Sequence, residues 1–206
     1  MHNIKVRLDT IRELNILPES KAKKLSVKDL VQGSFLELSE DVFKVQSVSR
    51  YLDVKWSSFA PRKNDYIITE LELFSIKNGK KSYLEWEQDD ELEVFLTTDL
   101  VKLREISVAG RKLTTALLED IAEEEEGVIS FKGVNYEYSE EDTWAGRFSK
   151  SGDLKDGTPM RAYEFESNDG KCLTIETWHE ESDEKPDREA FISKQIKPSA
   201  IKILAA

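Results

Sequence analysis

The chain has 206 residues, of which 39% are hydrophobic and 34% charged, so its length suits one large domain or two small ones. Its formal net charge is −11, and residues 107–206 carry −9 of it against −2 for residues 1–106. Nucleic acids and anionic membranes repel a protein with this excess of negative charge, so we expect neither as a partner. No stretch approaches the length that spans a bilayer, so we also expect no membrane insertion.

Residues 1–17 carry charges throughout and contain no apolar run, unlike a secretory signal, so we expect a cytoplasmic protein. The one cysteine, Cys172, has no partner for an intramolecular disulfide. It begins a predicted strand, where a thiol usually packs as a small apolar group. A reactive thiol would need a base and a cationic neighbour, and Lys171 is the cation next to it.

A three-residue spacing of apolar side chains predicts a helix from Leu8 to Leu17. The residues that carry the spacing are Leu8, Ile11, Leu14 and Leu17. Asp9 or Thr10 would cap this helix, and Pro18 would end it. We predict that residues 1–19 form an N-terminal helical strut or an interface helix.

The rest of the chain is predicted to contain the same unit twice. The matched segments are Lys24–Ser26 with Lys112–Thr114, Trp56–Phe59 with Trp144–Phe148, Asn78–Lys80 with Asp169–Lys171, and Leu84–Trp86 with Ile175–Trp178. The offset grows from 88 to about 100 residues, which small loop insertions in the second copy would explain. We therefore predict a repeat over residues 20–106 and a second, acidic repeat over residues 107–206.

Each repeat is predicted to begin with a helical turn, capped by Ser26 in the first copy and by Thr114 in the second. The second helix extends to Gly127 and ends in four glutamates, which oppose the helix dipole. Strands are predicted to fill the remainder, because apolar and polar residues alternate in segments such as Tyr51–Trp56 and Val134–Tyr138.

Three dipeptides predict tight hairpin turns between these strands. Lys132-Gly133 suits a two-residue turn, and Asn78-Gly79 and Asp169-Gly170 readily take positive φ at both central positions. The predicted fold class is mainly β with few short helices, as two tandem β-meander or open-barrel repeats packed together.

No motif in the sequence indicates a catalytic residue, a metal or a cofactor. Neither a nucleophile elbow nor a glycine-rich phosphate loop occurs. His179 beside Glu180 could be a base or part of a metal site, but a metal needs three or four ligands, and a solvated loop is the simpler interpretation. The acidic runs Asp89–Glu91 and Glu180–Glu184 lack the spacing of a calcium loop, so we interpret them as exposed charge.

The four tryptophans fall as one pair in each predicted repeat. One interpretation is that they are core residues or wedges between the repeats, since an indole buries a large area. The functional interpretation is an aromatic-lined groove for a peptide or a small ligand, flanked by Arg62 or Arg147. The candidate binding residues are Trp56, Trp86, Trp144, Trp178, Arg147 and His179.

Several of these segments resemble a bacterial family, a domain of unknown function of the DUF4178 type. The resemblance is carried by Trp144 with Phe148, by Ala162–Phe165, and by the hairpin Asp169–Trp178. Glu70–Trp86 is similar to a looser copy, so the resemblance covers most of residues 25–204 as two tandem copies. It implies no established activity and no catalytic residue. Some similar domains are thought to be encoded near membrane-stress proteins of the phage-shock type, which would imply a scaffold or adaptor.

These observations lead to two hypotheses of function. The first is a non-enzymatic, cytoplasmic protein-interaction or scaffold module whose partner is another protein. The alternative is a small-molecule-binding or enzymatic domain that uses the cleft between the repeats. A further hypothesis is a structural subunit of a larger assembly.

Overall fold

The computed structural model describes residues 2–63, 66–150, 153–179 and 187–206. The chain forms two compact units, which are not consecutive in sequence. The first unit takes residues 1–50, 67–96 and 196–206, and the second takes residues 51–66 and 97–195. The predicted boundary at residue 106 falls inside the second unit, and the predicted division into a strut and two repeats stays a prediction.

Strands make up most of the secondary structure. The α-helices are α1 (His2–Glu13), α2 (Glu19–Ala22) and α3 (Thr115–Glu124). The strands are β1 (Phe35–Leu38), β2 (Asp41–Val54), β3 (Ile67–Ser75), β4 (Lys81–Gln88), β5 (Leu92–Leu100), β6 (Ile106–Val108), β7 (Arg111–Lys112), β8 (Val128–Phe131), β9 (Val134–Ser149), β10 (Thr158–Glu166), β11 (Lys171–Trp178), β12 (Asp187–Gln195) and β13 (Lys202–Ala205). The prediction of a mainly β fold with few short helices is confirmed.

In the first unit, the strands follow the order β13-β1-β2-β3-β4-β5, with antiparallel neighbours such as β1 with β13 and β3 with β4. The residues of one buried cluster of this unit come from alternate positions of the strands and from the turn before β1. They are Val27, Leu30, Leu36, Leu38, Val45, Leu71, Leu73, Leu84, Val94 and Ile203. Burial of these aliphatic side chains is the main stabilisation of the unit.

Helix α1 differs from its prediction in both bounds and cap. It ends at Glu13 rather than Leu17, and the N–H of Leu17 instead bonds the carbonyl of Leu204 in β13. Thr10 is no cap, since it lies inside the helix and its hydroxyl donates to the carbonyl of Val6. Tertiary pairing of residues beyond Glu13 therefore ends the helix before Pro18 does.

The polar side of α1 faces the first unit, and apolar side chains point outward. The guanidinium of Arg7 donates to the carbonyls of Ile76 and Lys77, and Thr10 is only 5% exposed. Ile4, Leu8 and Ile11, spaced along one helix face, are 59%, 50% and 46% exposed. Polar contacts, namely the hydrogen bonds of Arg7 and the ion pair of Glu13 with Lys44, thus attach this helix rather than an apolar stripe.

In the second unit, the strands follow the order β12-β11-β10-β9-β8-β6-β7. Helix α3 is capped as predicted, because the hydroxyl of Thr114 accepts from the N–H of Leu117. It ends earlier than predicted, at Glu124, because Glu125 takes a left-handed conformation with φ of 57°. Leu118 and Ile121 of α3 share one buried cluster with strand residues such as Phe165.

The turn at Lys132-Gly133 is confirmed as a two-residue hairpin. Phe131 pairs with Val134, and the φ angles of Lys132 and Gly133 are 49° and 82°. Two consecutive left-handed residues match the twist of the flanking strands.

The turns at Gly79 and Gly170 differ from the prediction. The N–H of Ser75 bonds the carbonyl of Lys80 around a four-residue loop, and the N–H of Ser167 bonds that of Lys171 around a three-residue loop. Gly79 and Gly170 have φ of 71° and 74°, but the residues before them do not have positive φ. The prediction of positive φ at both positions is wrong for these two turns. Their longer loops need only one left-handed residue, which glycine supplies.

Within the described residues, no helix combines the length and the apolar character needed to cross a membrane.

Candidate functional site

Five of the six candidate binding residues belong to the second unit. Trp56 follows β2, Trp144 and Arg147 lie in β9, Trp178 ends β11, and His179 follows it.

Trp86 lies in β4 of the first unit and packs against the core of that unit. Its indole N–H is buried and has no acceptor among the residues that the structure describes. The predicted first repeat contains both Trp56 and Trp86, whereas the two residues belong to different units.

Strand register separates the candidates of the second unit into two groups. In β10 and β11, Met160 pairs with Trp178 and Arg161 pairs with Thr177. Because paired residues share a face and successive residues alternate, Trp178 and Arg161 point to opposite faces of the sheet. Trp144 pairs with Ala162 and lies on the face of Trp178.

The first group is an aromatic cluster around Tyr51, which is 2% exposed. The Tyr51 ring lies 5.6 Å from Trp144, 5.0 Å from Phe148 and 6.4 Å from Trp178, measured between ring centroids. Phe148 and Trp178 meet edge to face at 5.1 Å. These contacts support the interpretation of Trp144 and Trp178 as packing residues.

The second group is centred on the loop after β2. The Trp56 ring meets Tyr163 edge to face at 5.2 Å. The guanidinium carbon of Arg161 lies 5.0 Å from the ring centroids of both Trp56 and Phe59, and its Nη2 donates to the carbonyl of Trp56 at 3.3 Å. Two aromatic rings therefore hold one cation, an arrangement favoured by the ring quadrupoles.

Arg147 fixes the same loop from β9. Its Nε donates to the carbonyl of Phe59 at 3.0 Å, and its Nη1 donates to the carbonyl of Gly157 at 3.1 Å. Phe59 itself has a positive φ of 52°. The charged fork of Arg147 thus stabilises a strained loop conformation.

Arg62, the other predicted flanking cation, has a different role. Its Nε lies 3.2 Å from a carboxylate oxygen of Asp53 and 3.1 Å from the carbonyl of Val54. The Asp53 side chain is only 4% exposed, so Arg62 balances a buried carboxylate.

His179 lies beside this loop, with its ring 5.3 Å from that of Phe59. Its Nε2 is 3.2 Å from the hydroxyl of Thr177. Burial, assisted by the positive charge of Arg161, lowers the pKa of His179, although Glu119 opposes the shift. The imidazole is therefore neutral at neutral pH.

No group of three potential metal ligands occurs among the described residues. The acidic run Asp89–Glu91 is an exposed connection between β4 and β5. The run Glu180–Glu184 lies outside the described residues.

Two arginines on this face, Arg161 and Arg188, were not predicted from the sequence. Arg161 pairs with Thr177, and Thr177 pairs with Arg188 of β12, so the three side chains form a row across neighbouring strands. Nε of Arg161 and Nη1 of Arg188 are buried without an acceptor among the described residues. Each arginine precedes an alternating apolar segment of its strand, a weak signal that becomes informative only when the register is known.

We name the second group the arginine–aromatic site. It consists of Trp56, Phe59, Arg147, Arg161, Tyr163, Thr177, His179 and Arg188. The site combines arginine cations with aromatic rings and hydroxyl donors, the residue types enriched in binding hot spots. It is suited to binding a negatively charged or aromatic group.

A buried polar cluster lies on the opposite face of the same strands. The thiol of Cys172 donates to Oε2 of Glu164 at 2.6 Å, and the hydroxyl of Thr174 donates to the same oxygen at 2.8 Å. Burial raises the pKa of Glu164 to about 7. Burial and the neighbouring carboxyl also raise the pKa of Cys172, so the thiol stays protonated, as the packing interpretation predicts.

A break in strand pairing forms part of this cluster. The register of β9 against β10 shifts between Ala162 and Glu164. The hydroxyl of Thr143 there accepts from the N–H of Glu164 at 3.1 Å and donates to the carbonyl of Ser139. The Thr143 hydroxyl therefore bonds two backbone groups that would pair between the strands if the register were regular.

The model of one protein family matches residues 32–198, and that family is described as a domain of unknown function (DUF4178). No curated protein and no solved structure matches the chain.

Proposed function

Because the chain belongs to the DUF4178 family, whose description names no activity, we propose its function from the site: a non-enzymatic interaction module that binds a partner protein. The contact surface is the arginine–aromatic site of the second unit. A cytoplasmic location and a role as scaffold or adaptor are part of the same proposal.

The observation that carries the proposal is the position of Arg161 between two aromatic rings. Its guanidinium lies 5.0 Å from both Trp56 and Phe59, and the loop that carries these rings is fixed by Arg147. Binding to a preformed surface costs less ordering entropy than binding to a mobile one. Aromatic residues and arginine are also the usual anchors of protein interfaces.

The groups that could serve catalysis are engaged in internal contacts. Cys172 donates to a carboxyl group and is held as a thiol, and His179 is paired with the hydroxyl of Thr177. These contacts favour a binding role over nucleophilic chemistry.

An ancestral duplication is a further part of the proposal. Strands β3, β4 and β5 have 9, 8 and 9 residues, and β10, β11 and β12 have the same lengths in the same order. Each set follows a long strand, β2 with 14 residues and β9 with 16. The equal lengths support two tandem copies that have since diverged in their loops.

The proposal is tested by crosslinking capture from the native host with the full chain as bait. The baits are wild type, Trp56→Ala, Arg161→Gln and a control, Arg111→Gln, which changes an exposed arginine of β7. We expect a protein that wild type and the control enrich equally and that both site variants lose. Circular dichroism verifies that each bait is folded. Equal enrichment by all four baits, or no reproducible partner in growth or stress, would overturn the proposal.

A further inference from the structure

We propose that Arg161 and Arg188 bind one oxyanionic group, a carboxylate or a phosphate, over Thr177. This inference rests on the proposed function, since it names the chemical group that the partner presents to the arginine–aromatic site.

The register places both cations around one position. Arg161 and Arg188 pair with Thr177 from opposite sides, so they lie on the strands flanking β11 and on the same face. Neighbouring strands are about 4.8 Å apart, which separates the two arginine backbones by roughly 10 Å. Two long side chains can converge on a group held between them over that distance.

Both arginines have polar hydrogens that lack an acceptor. Nε of Arg161 and Nη1 of Arg188 are shielded from solvent and unbonded within the described ranges. Such groups are rare in folded proteins, because an unpaired buried donor costs about 1–3 kcal/mol. An oxyanion supplies several acceptor lone pairs and opposite charge at the same time, and guanidinium groups suit its geometry.

The surroundings of Thr177 add donors and cations. Arg161 and Thr177 lie near the hydroxyl of Tyr163, where both oppose the rise in its pKa that burial causes. Arg147 donates to carbonyl oxygens, and because these acceptors are neutral they do not cancel its positive charge. Nε2 of His179 lies 3.2 Å from the Thr177 hydroxyl.

Acidic residues near the row are few among those described. Glu119 of α3 is close enough to influence His179 and Tyr163, and it is exposed. Asp187 and Glu189 of β12 pair with Trp178 and Glu176, so their side chains point to the opposite face. The salt bridges of the described chain include neither Arg161 nor Arg188.

Part of the binding geometry already exists without ligand. The guanidinium of Arg161 lies over the rings of both Trp56 and Phe59. An arginine fixed in this way loses little further rotamer freedom when it binds an anion.

The test uses the full chain with sodium phosphate, sodium acetate and sodium chloride at equal ionic strength. In wild type we expect phosphate or acetate to raise the Tm above that in chloride by about 3–6 °C at roughly tenfold excess over Kd. The control Arg111→Gln should show the same rise, which accounts for general salt effects. In Arg188→Gln the rise should vanish. A rise with phosphate alone assigns a phosphate, and a rise with acetate assigns a carboxylate.

A second measurement keeps the test valid if Arg188→Gln folds poorly. In nitrogen-15 NMR of the wild type, the Nε–H signals of Arg161 and Arg188 should shift on titration with the bound anion, while that of Arg111 should not. No Tm rise in wild type together with unmoved arginine signals overturns the inference, as does an equal rise in Arg188→Gln.

The two proposals fail separately. If a partner is captured through Arg161 and Trp56 but no anion binds, the oxyanion inference alone is wrong. If anions bind through Arg188 but capture does not depend on the site, the interaction function alone is wrong.

Discussion

The thiol of Cys172 lies 2.6 Å from Oε2 of Glu164, a carboxyl group that is only 9% exposed. Two donors, Cys172 and Thr174, point at that one oxygen, which favours the ionised form. Burial opposes them and wins, with help from the nearby charges of Asp142 and Glu166, so the pKa of Glu164 rises to about 7. The folded protein therefore holds a proton at this position near neutral pH.

This raised pKa makes stability depend on pH. Between the unfolded pKa of 4.5 and the folded value of about 7, the unfolded chain releases the proton and the folded chain keeps it. The free energy of unfolding therefore falls as pH rises through that window, by at most roughly 3 kcal/mol. We expect Glu164→Gln to remove this fall, measured by urea unfolding at pH 5 and pH 8.

The control for this change is Glu123→Gln, which alters an exposed carboxylate of α3 that is not among the groups acting on Glu164. It should leave the difference in stability between pH 5 and pH 8 as in wild type. The lowered pKa of His179 adds an opposite, rising trend to wild type and Glu164→Gln alike, so the comparison between them is decisive. The same pH dependence in Glu164→Gln and wild type would show that Glu164 does not titrate as described.

The thiol of Cys172 is expected to react slowly. Its pKa is raised by burial and by Glu164, so the thiolate that attacks an alkylating reagent is scarce at pH 8. Iodoacetamide should modify the folded protein at least tenfold more slowly than the protein in urea, as followed by mass spectrometry. In Glu164→Gln the rate should increase, because the neighbouring carboxylate is gone. Equal rates in folded and unfolded protein would contradict this account.

Gly146 is expected to tolerate no side chain. A Cβ there would lie 2.4 Å from Cζ3 of Trp144, whose ring packs on Tyr51. Gly146→Ala should destabilise the fold by about 1–3 kcal/mol and change the near-UV circular dichroism of the aromatic cluster.

Gly170→Ala is the comparison for that variant. Position 170 has open space but a φ of 74°, so the substitution costs only the left-handed conformation, about 1–2 kcal/mol. Its near-UV spectrum should stay that of wild type. If the two variants change the spectrum equally, the crowding around Trp144 is not the cause.

Arg147 is expected to stabilise the loop of the arginine–aromatic site locally. Arg147→Gln removes the charged donors to the carbonyls of Phe59 and Gly157. The amide of Phe59, which bonds the carbonyl of Lys55, should then exchange its hydrogen about tenfold faster or more. Hydrogen-exchange mass spectrometry on peptides covering residues 55–60 measures this, with Arg111→Gln as the matched control. Unchanged exchange in Arg147→Gln would contradict the role.

Helix α1 is expected to contribute little through its apolar residues. Leu8 is 50% exposed, so Leu8→Ala should change the free energy of unfolding by no more than about 0.5 kcal/mol. Leu84 of the first unit is fully buried, and Leu84→Ala should cost about 2–5 kcal/mol. Denaturant unfolding compares the two variants directly. A large loss in Leu8→Ala would mean that the leucine is buried in solution.

Local patterns in the sequence were sufficient for elements whose cause is local. The cap at Thr114 and the turn at Lys132-Gly133 follow from side-chain oxygens and glycine freedom within a few residues, and both are confirmed. The end of α1 was missed because the bond between Leu17 and Leu204 joins residues far apart in sequence.

Local patterns in the sequence predicted only part of the candidate site. Trp56, Arg147 and His179 were found by residue type, but Arg161 and Arg188 were missed. Their significance depends on sharing Thr177 as a neighbour, and no spacing along the chain encodes that relation.

Short-range patterns along the chain predict that this protein is built from strands, because alternating side chains and glycine turns act over a few residues. The acidic balance and the family also follow from the chain alone, since they depend on composition and on short motifs. Which side chains meet depends on the fold. A strand places alternate residues on one face whatever its neighbours are, whereas the register between strands, set by hydrogen bonds over long separations, brings Arg161 and Arg188 to one point and sends Trp178 to the other face.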